Sequence, residues 1–428
     1  MLRKQSLALF AVSVIASLCA APLFASARLT YTIGEKVLPV LWVQSAFPIK
    51  VQVDRRVMDS LPNAAVVLDK AFSTWAIAPD TNISFQSLGV ADGLTAGMDN
   101  KNTVTLMDDL FKDQYAIAMT TNWYDNSGHL TEADIGIDSK LLKGDYNMQH
   151  ALTHEVGHLL GLDHSPVLSS IMYPYVPKGT DATSLDSDDR NAIANIYPKG
   201  DSAHAGGVLQ GRVTGDSGGV FAAQVVALNE NGEPVATGLS NSAGEFALQA
   251  LPAGNYRLYA EPLDGPVDIR NFAGIWRSAK ATPFPTRFCD SGTVRVEDGK
   301  VYGNLVLNTS GSLPQLNPRW VGVAPPGVTQ FNLISTAATV RPGQTINLAI
   351  AGDGIIGGMT KFDVLNPGFH RTSDFQYAGN YVYATFDIAA DTPFGSVVIL
   401  ASTGSQEATL TGALRLQTPP GRFRAVRR

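Results

Sequence analysis

The sequence predicts an α+β domain followed by two all-β sandwiches. Three observations carry this expectation. From Arg28 to about Lys199, short β-like runs alternate with stretches of helical periodicity. After Gly200 the helical periodicity stops. From Val208 onward, short alternating runs are punctuated by turns, and a second break falls near Gly311 to Pro318. The 40 Gly and 24 Pro among 428 residues suit a chain with many turns.

The elements follow in chain order. Residues 1–27 read as a signal peptide, with Arg3 and Lys4 as a positive start and Leu7 to Leu18 as the apolar stretch. Ala25-Ser26-Ala27 supplies the small-x-small cleavage site. Cleavage there removes Cys19 and leaves Cys289 alone, so the mature chain can form no internal disulfide; this favours a bacterial exported protein over an animal extracellular one. No later segment is apolar over a length that spans a bilayer. The expected location is extracellular, or periplasmic.

Residues 28–200 hold the mixed pattern. Ile49 to Val53 reads as a strand. Pro62 and Asn63 open a helix whose Ala64, Leu68, Phe72 and Trp75 form one apolar stripe. Asn82 to Phe85, Thr103 to Met107, Ala116 to Trp123 and Ala133 to Asp138 read as strands. Helices are expected over 147–160 and 187–197. The second has Asp186 or Ser187 as its cap, and Asp188 and Asp189 suit the positive end of its dipole. Gly200 to Gly207 reads as a linker. One sandwich is expected over 208–311 and another over 318–417. The basic tail, 418–428, carries Arg422, Arg424, Arg427 and Arg428 and reads as a solvated end. The net charge of −6 argues against a nucleic-acid partner, because phosphate backbones are bound by concentrated Lys and Arg.

The chemistry concentrates in His154-Glu155-Val156-Gly157-His158-Leu159-Leu160-Gly161-Leu162-Asp163-His164. On a helix, residues four apart share a face, so His154 and His158 can present two imidazoles to one ion. Gly161 can adopt a left-handed conformation that ends the helix and turns the chain back. His164 then closes the set as a third nitrogen ligand, which leaves a tetrahedral zinc one open position. Glu155 is placed to accept a proton from water whose pKa the zinc has lowered to about 7, and to return it to a leaving amine. Five fixed positions coincide by chance on the order of once in 10⁵ such chains. His150 shares the face, but three donors already suffice. It is expected on the helix surface or supporting the ligands from outside.

This motif, followed by Ser169-Ser170-Ile171-Met172-Tyr173-Pro174, resembles the metzincin clan with its Met-turn. Ser165, the Asp188-Asp189 pair, Ile193, Ile196 and Tyr197 are similar to the matrixin branch. The resemblance implies a zinc-dependent metalloendopeptidase acting on proteins or peptides, with a five-stranded twisted sheet plus helices. It also implies Met172 as a hydrophobic floor under the metal, and Pro174 and Tyr175 in the wall of a substrate pocket. Two features depart from animal matrixins. No cysteine lies between Arg28 and His154 to block the zinc, and only His129 and His150 remain for a second, structural zinc. Asp125, Asp134 and Asp138 read equally as calcium ligands or as turn-forming aspartates.

In the second half, Ser240 to Phe246 and Leu251 to Tyr256 resemble carboxypeptidase-regulatory-like or Cna-B-like sandwiches, and the last segment looks immunoglobulin-like. Such modules commonly position an enzyme or bind an extracellular surface. The alternative to a secreted endopeptidase is therefore an adhesin-like protein whose sandwiches carry the main role. Trp276 and Trp320 are read as packing residues.

Overall fold

The computed structural model describes residues 28–33, 36–107, 116–142, 144–180, 182–200, 206–276, 280, 282–311 and 315–417. The signal-peptide and basic-tail expectations fall outside these residues, as does most of the expected linker. Among the described residues no helix is long and apolar enough to cross a membrane.

The first half is α+β. Strands β1 (Thr30–Ile33) and β2 (Lys36–Pro39) make an antiparallel hairpin. β3 (Ile49–Asp54) runs into a short helix, α1 (Arg55–Ser60), capped by Asp54, whose carboxylate accepts from Arg56 N at 2.8 Å. Six residues are too few to show a helical period, which is why pattern reading passes over α1. Helix α2 (Ala64–Ala76) buries Ala64, Leu68, Ala71 and Trp75, and Phe72 packs at the rim of that core.

Four more strands complete the sheet: β4 (Phe85–Ala91), β5 (Asn102–Leu106), β6 (Ala118–Tyr124) and β7 (Leu130–Ile137). Their order is β4-β3-β5-β7-β6, parallel except for β6. β4 starts where the sequence suggested a strand would end. Its middle, Gln86 to Val90, is solvent-exposed at the sheet edge, so it carries no apolar alternation to read. Helix α3 (Met148–Leu159) packs on α2 and β6, and α4 (Ser187–Ile196) follows.

Both helices are capped at their N-termini, α4 by Asp186, the first of the two expected candidates. The Asn147 side chain accepts from Gln149 N and His150 N, and Asp186 pairs with Asp189 in a capping box. The far end of α3 is satisfied by tertiary donors. Trp42 Nε1 donates to Leu159 O at 2.8 Å and Tyr197 Oη to Leu160 O at 2.7 Å.

The second half consists of paired β-sheets. Strands 234–239, 224–228, 254–261 and 287–296 face a sheet of 245–251, 207–215 and 301–308 around an apolar core of their own. Further on, the sheet 317–324, 345–353, 381–388, 369–371 faces the sheet 338–340, 406–416, 395–403, 361–364. The second core does not stop at its own sheets. It takes in Leu168 and Tyr173 from the first half, and Leu263, Val267, Phe272 and Trp276 from the segment before it. Trp276 is thus a packing residue, stacked on Phe221 at 5.5 Å, whereas Trp320 lies partly exposed.

Glu261 lies buried where the two sandwiches meet. Thr411 Oγ1 donates to its Oε1 at 2.6 Å and Thr409 Oγ1 donates to Oε2, both from the last strand. Burial pushes the carboxyl up from 4.5 to about 7, and the two hydroxyl bonds offset only part of this. Between pH 4.5 and 7 the folded chain keeps a proton that the unfolded chain has released, so this group makes stability fall as pH rises through that window. Replacing Glu261 with Gln removes the slope. The variant should gain on wild type between pH 4.5 and 7, by up to roughly 3 kcal/mol. Urea-unfolding midpoints at pH 5 and pH 8 measure the gap, and an unchanged gap refutes the assignment.

Candidate metal centre

The three imidazoles predicted from spacing do converge. One ring nitrogen from each of His154, His158 and His164 falls within 4.8 Å of the others. Among the described residues this is the sole converging group of three or more His, Cys, Asp or Glu side chains. Asp125, Asp134 and Asp138 are not brought together. Asp125 Oδ1 accepts from Ser127 N and His129 N, Asp134 is bonded by Thr103 and Gly97 N, and Asp138 Oδ1 accepts from Lys140 N. Asp125 and Asp138 thus anchor their own turns, and Asp134 anchors backbone 31 and 37 positions away.

The turn after α3 depends on Gly161. Its φ is +92°, and a Cβ there would lie 2.3 Å from Val40 O. Only glycine accepts both the dihedral and the contact. The turn returns the chain so that His164 faces the helix.

Each ring is held from behind by a backbone carbonyl. His154 Nδ1 meets Ile171 O at 2.7 Å, His158 Nδ1 meets Leu162 O at 2.8 Å, and His164 Nδ1 meets Asn271 O at 2.5 Å. A carbonyl oxygen can only accept, so Nδ1 carries the proton in all three rings, and the Nε2 lone pairs are left for a ligand. Burial also disfavours the charged form of two of the rings. It pushes His154 well below the ordinary imidazole range and His158 down to about 3. Three pre-aimed imidazole nitrogens and no carboxylate in the set suit zinc.

Glu155 is 6% exposed on the same helix. Thr120 of β6 donates to its Oε2 at 2.7 Å, and burial raises the carboxyl to about 7 against that bond. β6 also fixes the next turn of α3, since Asn122 Nδ2 donates to His158 O at 3.1 Å. His150 is not on the helix surface. It is buried, its Nδ1 donates to Ala182 O at 2.7 Å, and burial lowers its pKa to about 4. It stands outside the converging group.

Met172 packs against α3 at Gly157. A Cβ on Gly157 would come 2.2 Å from Met172 Sδ and 2.9 Å from Trp75 Cζ2. The turn that carries Met172 hangs on Asp189 in α4. Its Oδ2 accepts from Ile171 N at 2.8 Å and its Oδ1 from Met172 N at 3.2 Å, and Ser170 Oγ also donates to it. Asp188 takes Ser165 Oγ at 2.6 Å and, from the second half, Thr237 N at 2.9 Å. The two aspartates do sit in the first turn of α4, but they are buried tertiary acceptors as well as dipole partners. Pro174 is half-buried. Tyr175 is 47% exposed, with its ring 5.7 Å from that of Tyr173. Sequence reading missed Thr120, the anchoring role of Asp189, and Asn271. Only the aspartate pair leaves a signal in the sequence, through its place in the first turn of a helix and its likeness to the matrixin branch.

Residues 56–198 match the family model described as Matrixin. Within this chain, 52 residues are 42% identical to Metalloendoproteinase 1 of Glycine max, over 12% of this chain and 17% of that protein. A match of 54 residues is 46% identical to Matrilysin of Rattus norvegicus, over 12% of this chain and 20% of that protein. The chain thus spans about a fifth of the length of these curated relatives. Among solved structures, the major pilin subunit of Bacillus cereus covers 48% of this chain and 67% of its own. It is 12% identical with a TM-score of 0.17, too low to carry any argument about this fold.

Gly157→Ala tests the packing of the helix floor. The substitution gains about 1 kcal/mol in helix propensity. Overlap with Met172 and with Trp75, itself pinned by Nε1 donating to Thr153 O, should cost more, leaving a net loss of about 1–3 kcal/mol. A thermal melt of the metal-free protein that rises in the variant would contradict this packing.

Proposed function

Taking residues 56–198 as a matrixin-like metzincin catalytic domain, we propose that the protein is a zinc-dependent endopeptidase that hydrolyses protein or peptide substrates outside the cytoplasm. The observation that carries this reading is the convergence of three Nε2 lone pairs beside a buried glutamate. His154, His158 and His164 hold the ion. When bound there, zinc would supply Lewis-acid chemistry toward the scissile carbonyl and would lower the pKa of water enough for a proton to be taken near neutral pH.

Glu155 receives that proton and delivers it to the departing amine. In the metal-free site desolvation raises this carboxyl to about 7, and a cation held beside it would favour the ionised form that accepts a proton. Thr120 fixes one of its oxygens, so the other is the one left to face the substrate. Among the described residues, β6 is bonded on one side only, to β7. Its other edge offers backbone donors and acceptors to an extended peptide, which can add as a further strand. Met172 serves as the floor, and Pro174 and Tyr175 line the wall of the pocket. The domain limits 28–200, 208–311 and 318–417 belong to the same proposal, as does export by residues 1–27. Nothing in the geometry favours the adhesin-like alternative over this reading.

Glu155→Gln should lower peptide cleavage by at least about a hundredfold while zinc still binds at one equivalent. His158→Ala should lose both. Metal analysis and a fluorogenic peptide assay on the same samples decide the matter, and near-normal cleavage by the glutamine variant removes the proton-transfer role.

A further inference from the structure

Strands 254–261 and 287–296 are antiparallel neighbours, with Ala260 paired to Arg287. A hairpin of about 2–5 residues would join them. Instead 25 residues intervene, and the described residues 262–276 leave the sandwich and reach the histidine triad at Asn271. Connections of this length in compact folds are uncommon and usually functional.

We infer that this excursion is a working part of the metal centre, with Asn271 as a positioning residue for His164. The inference rests on the zinc reading above. His154 and His158 are backed by carbonyls of the first half, Ile171 and Leu162. The carbonyl behind His164 comes from 107 positions further along the chain. Asp163 ties the same two segments together. This 3% exposed carboxylate accepts His164 N on Oδ1 at 2.8 Å and Ala273 N on Oδ2 at 2.8 Å. Undocking the excursion would strand one of its buried oxygens.

The excursion is built to hold its carbonyl still. Asp268 and Asn271 form a capping box around the 269–271 turn, with Asn271 Oδ1 accepting from Asp268 N at 3.0 Å. Asn271 Nδ2 also donates to Tyr175 Oη at 3.1 Å, which links the ligand support to the proposed pocket wall. Gly274, at φ +59°, closes onto β1, where a Cβ would lie 2.0 Å from Thr30 Oγ1. Phe272 and Trp276 anchor the base in the apolar core. His164 is the one ligand of the three whose orienting bond crosses between the halves, and its side chain is partly exposed. Loss of that bond frees its ring to turn its lone pair away from the ion.

Two variants of the full-length protein loosen the turn without touching a ligand, Asn271→Ala and Asp268→Ala. Each is expected to raise the zinc dissociation constant about tenfold, the usual penalty for losing a ligand's outer hydrogen bond. The constant is measured by competition with a chelating indicator, and the melting temperature of the metal-free protein should stay near wild type. Hydrogen exchange on the wild type needs no variant. Adding zinc to the metal-free protein should slow the amides of residues 268–274 as well as those of 154–164. Wild-type zinc affinity in both variants overturns the inference, and so does unchanged exchange over 268–274. Failure of the wild type itself to bind zinc overturns the endopeptidase reading instead.

Discussion

The site depends first on one backbone constraint, the left-handed turn at Gly161. A helix by itself can aim two imidazoles at a point, but it carries every later residue past that point. Stopping α3 at Leu159 and reversing within a few residues requires a dihedral that costs any other residue about 1 kcal/mol or more. The same turn supplies Leu162 O to His158 and receives Leu29 N on Gly161 O at 3.0 Å. It therefore sets two ligands at once, and it is braced by the chain that enters the domain.

Around that turn, support spreads outward in layers of ordinary hydrogen bonds. Backbone carbonyls hold the rings, Asp189 holds the turn that presents Ile171 O, and the capping box of α4 holds Asp189. The second half braces this assembly from outside. Leu168 N donates to Thr411 O at 2.9 Å, Tyr173 Oη to Ser335 O at 2.6 Å, and Arg415 to Ser169 O. Ser396 Oγ reaches Asp186 at 3.1 Å. Modules joined by flexible linkers would leave such groups to solvent. Here they are buried, and each bond left unmade would cost about 1–3 kcal/mol.

Features written into local sequence were legible before the fold was known. His154, Glu155 and His158 follow from one helical turn, His164 from the glycine that ends it, and a cap at Asp186 or Ser187 from cap chemistry. The core strands could be read because burial imposes a pattern on them, whereas exposed β4 could not. The contribution of Asn271 left no trace, for a simple reason. It acts through a main-chain oxygen that every residue possesses, delivered across a long loop whose path depends on packing. The same holds for the second apolar core, since nothing in the Leu168 or Tyr173 neighbourhood announces that strands from the far end of the chain will cover it.

Gly412 shows what this interlocking means for the order in which the molecule is made. The strand Gln406–Leu416 presses against Ser169 there, with Gly412 leaving room where a Cβ would sit 2.6 Å from Ser169 Oγ. Arg415 closes a loop of 246 residues when it meets Ser169. A ribosome delivers all three histidines long before it delivers this strand. During synthesis the growing polypeptide therefore carries a complete set of ligands on an unbraced floor, and this clamp closes only after residues 406–416 have emerged. Contacts of such high sequence separation also form slowly, because the closure entropy must be met before they contribute.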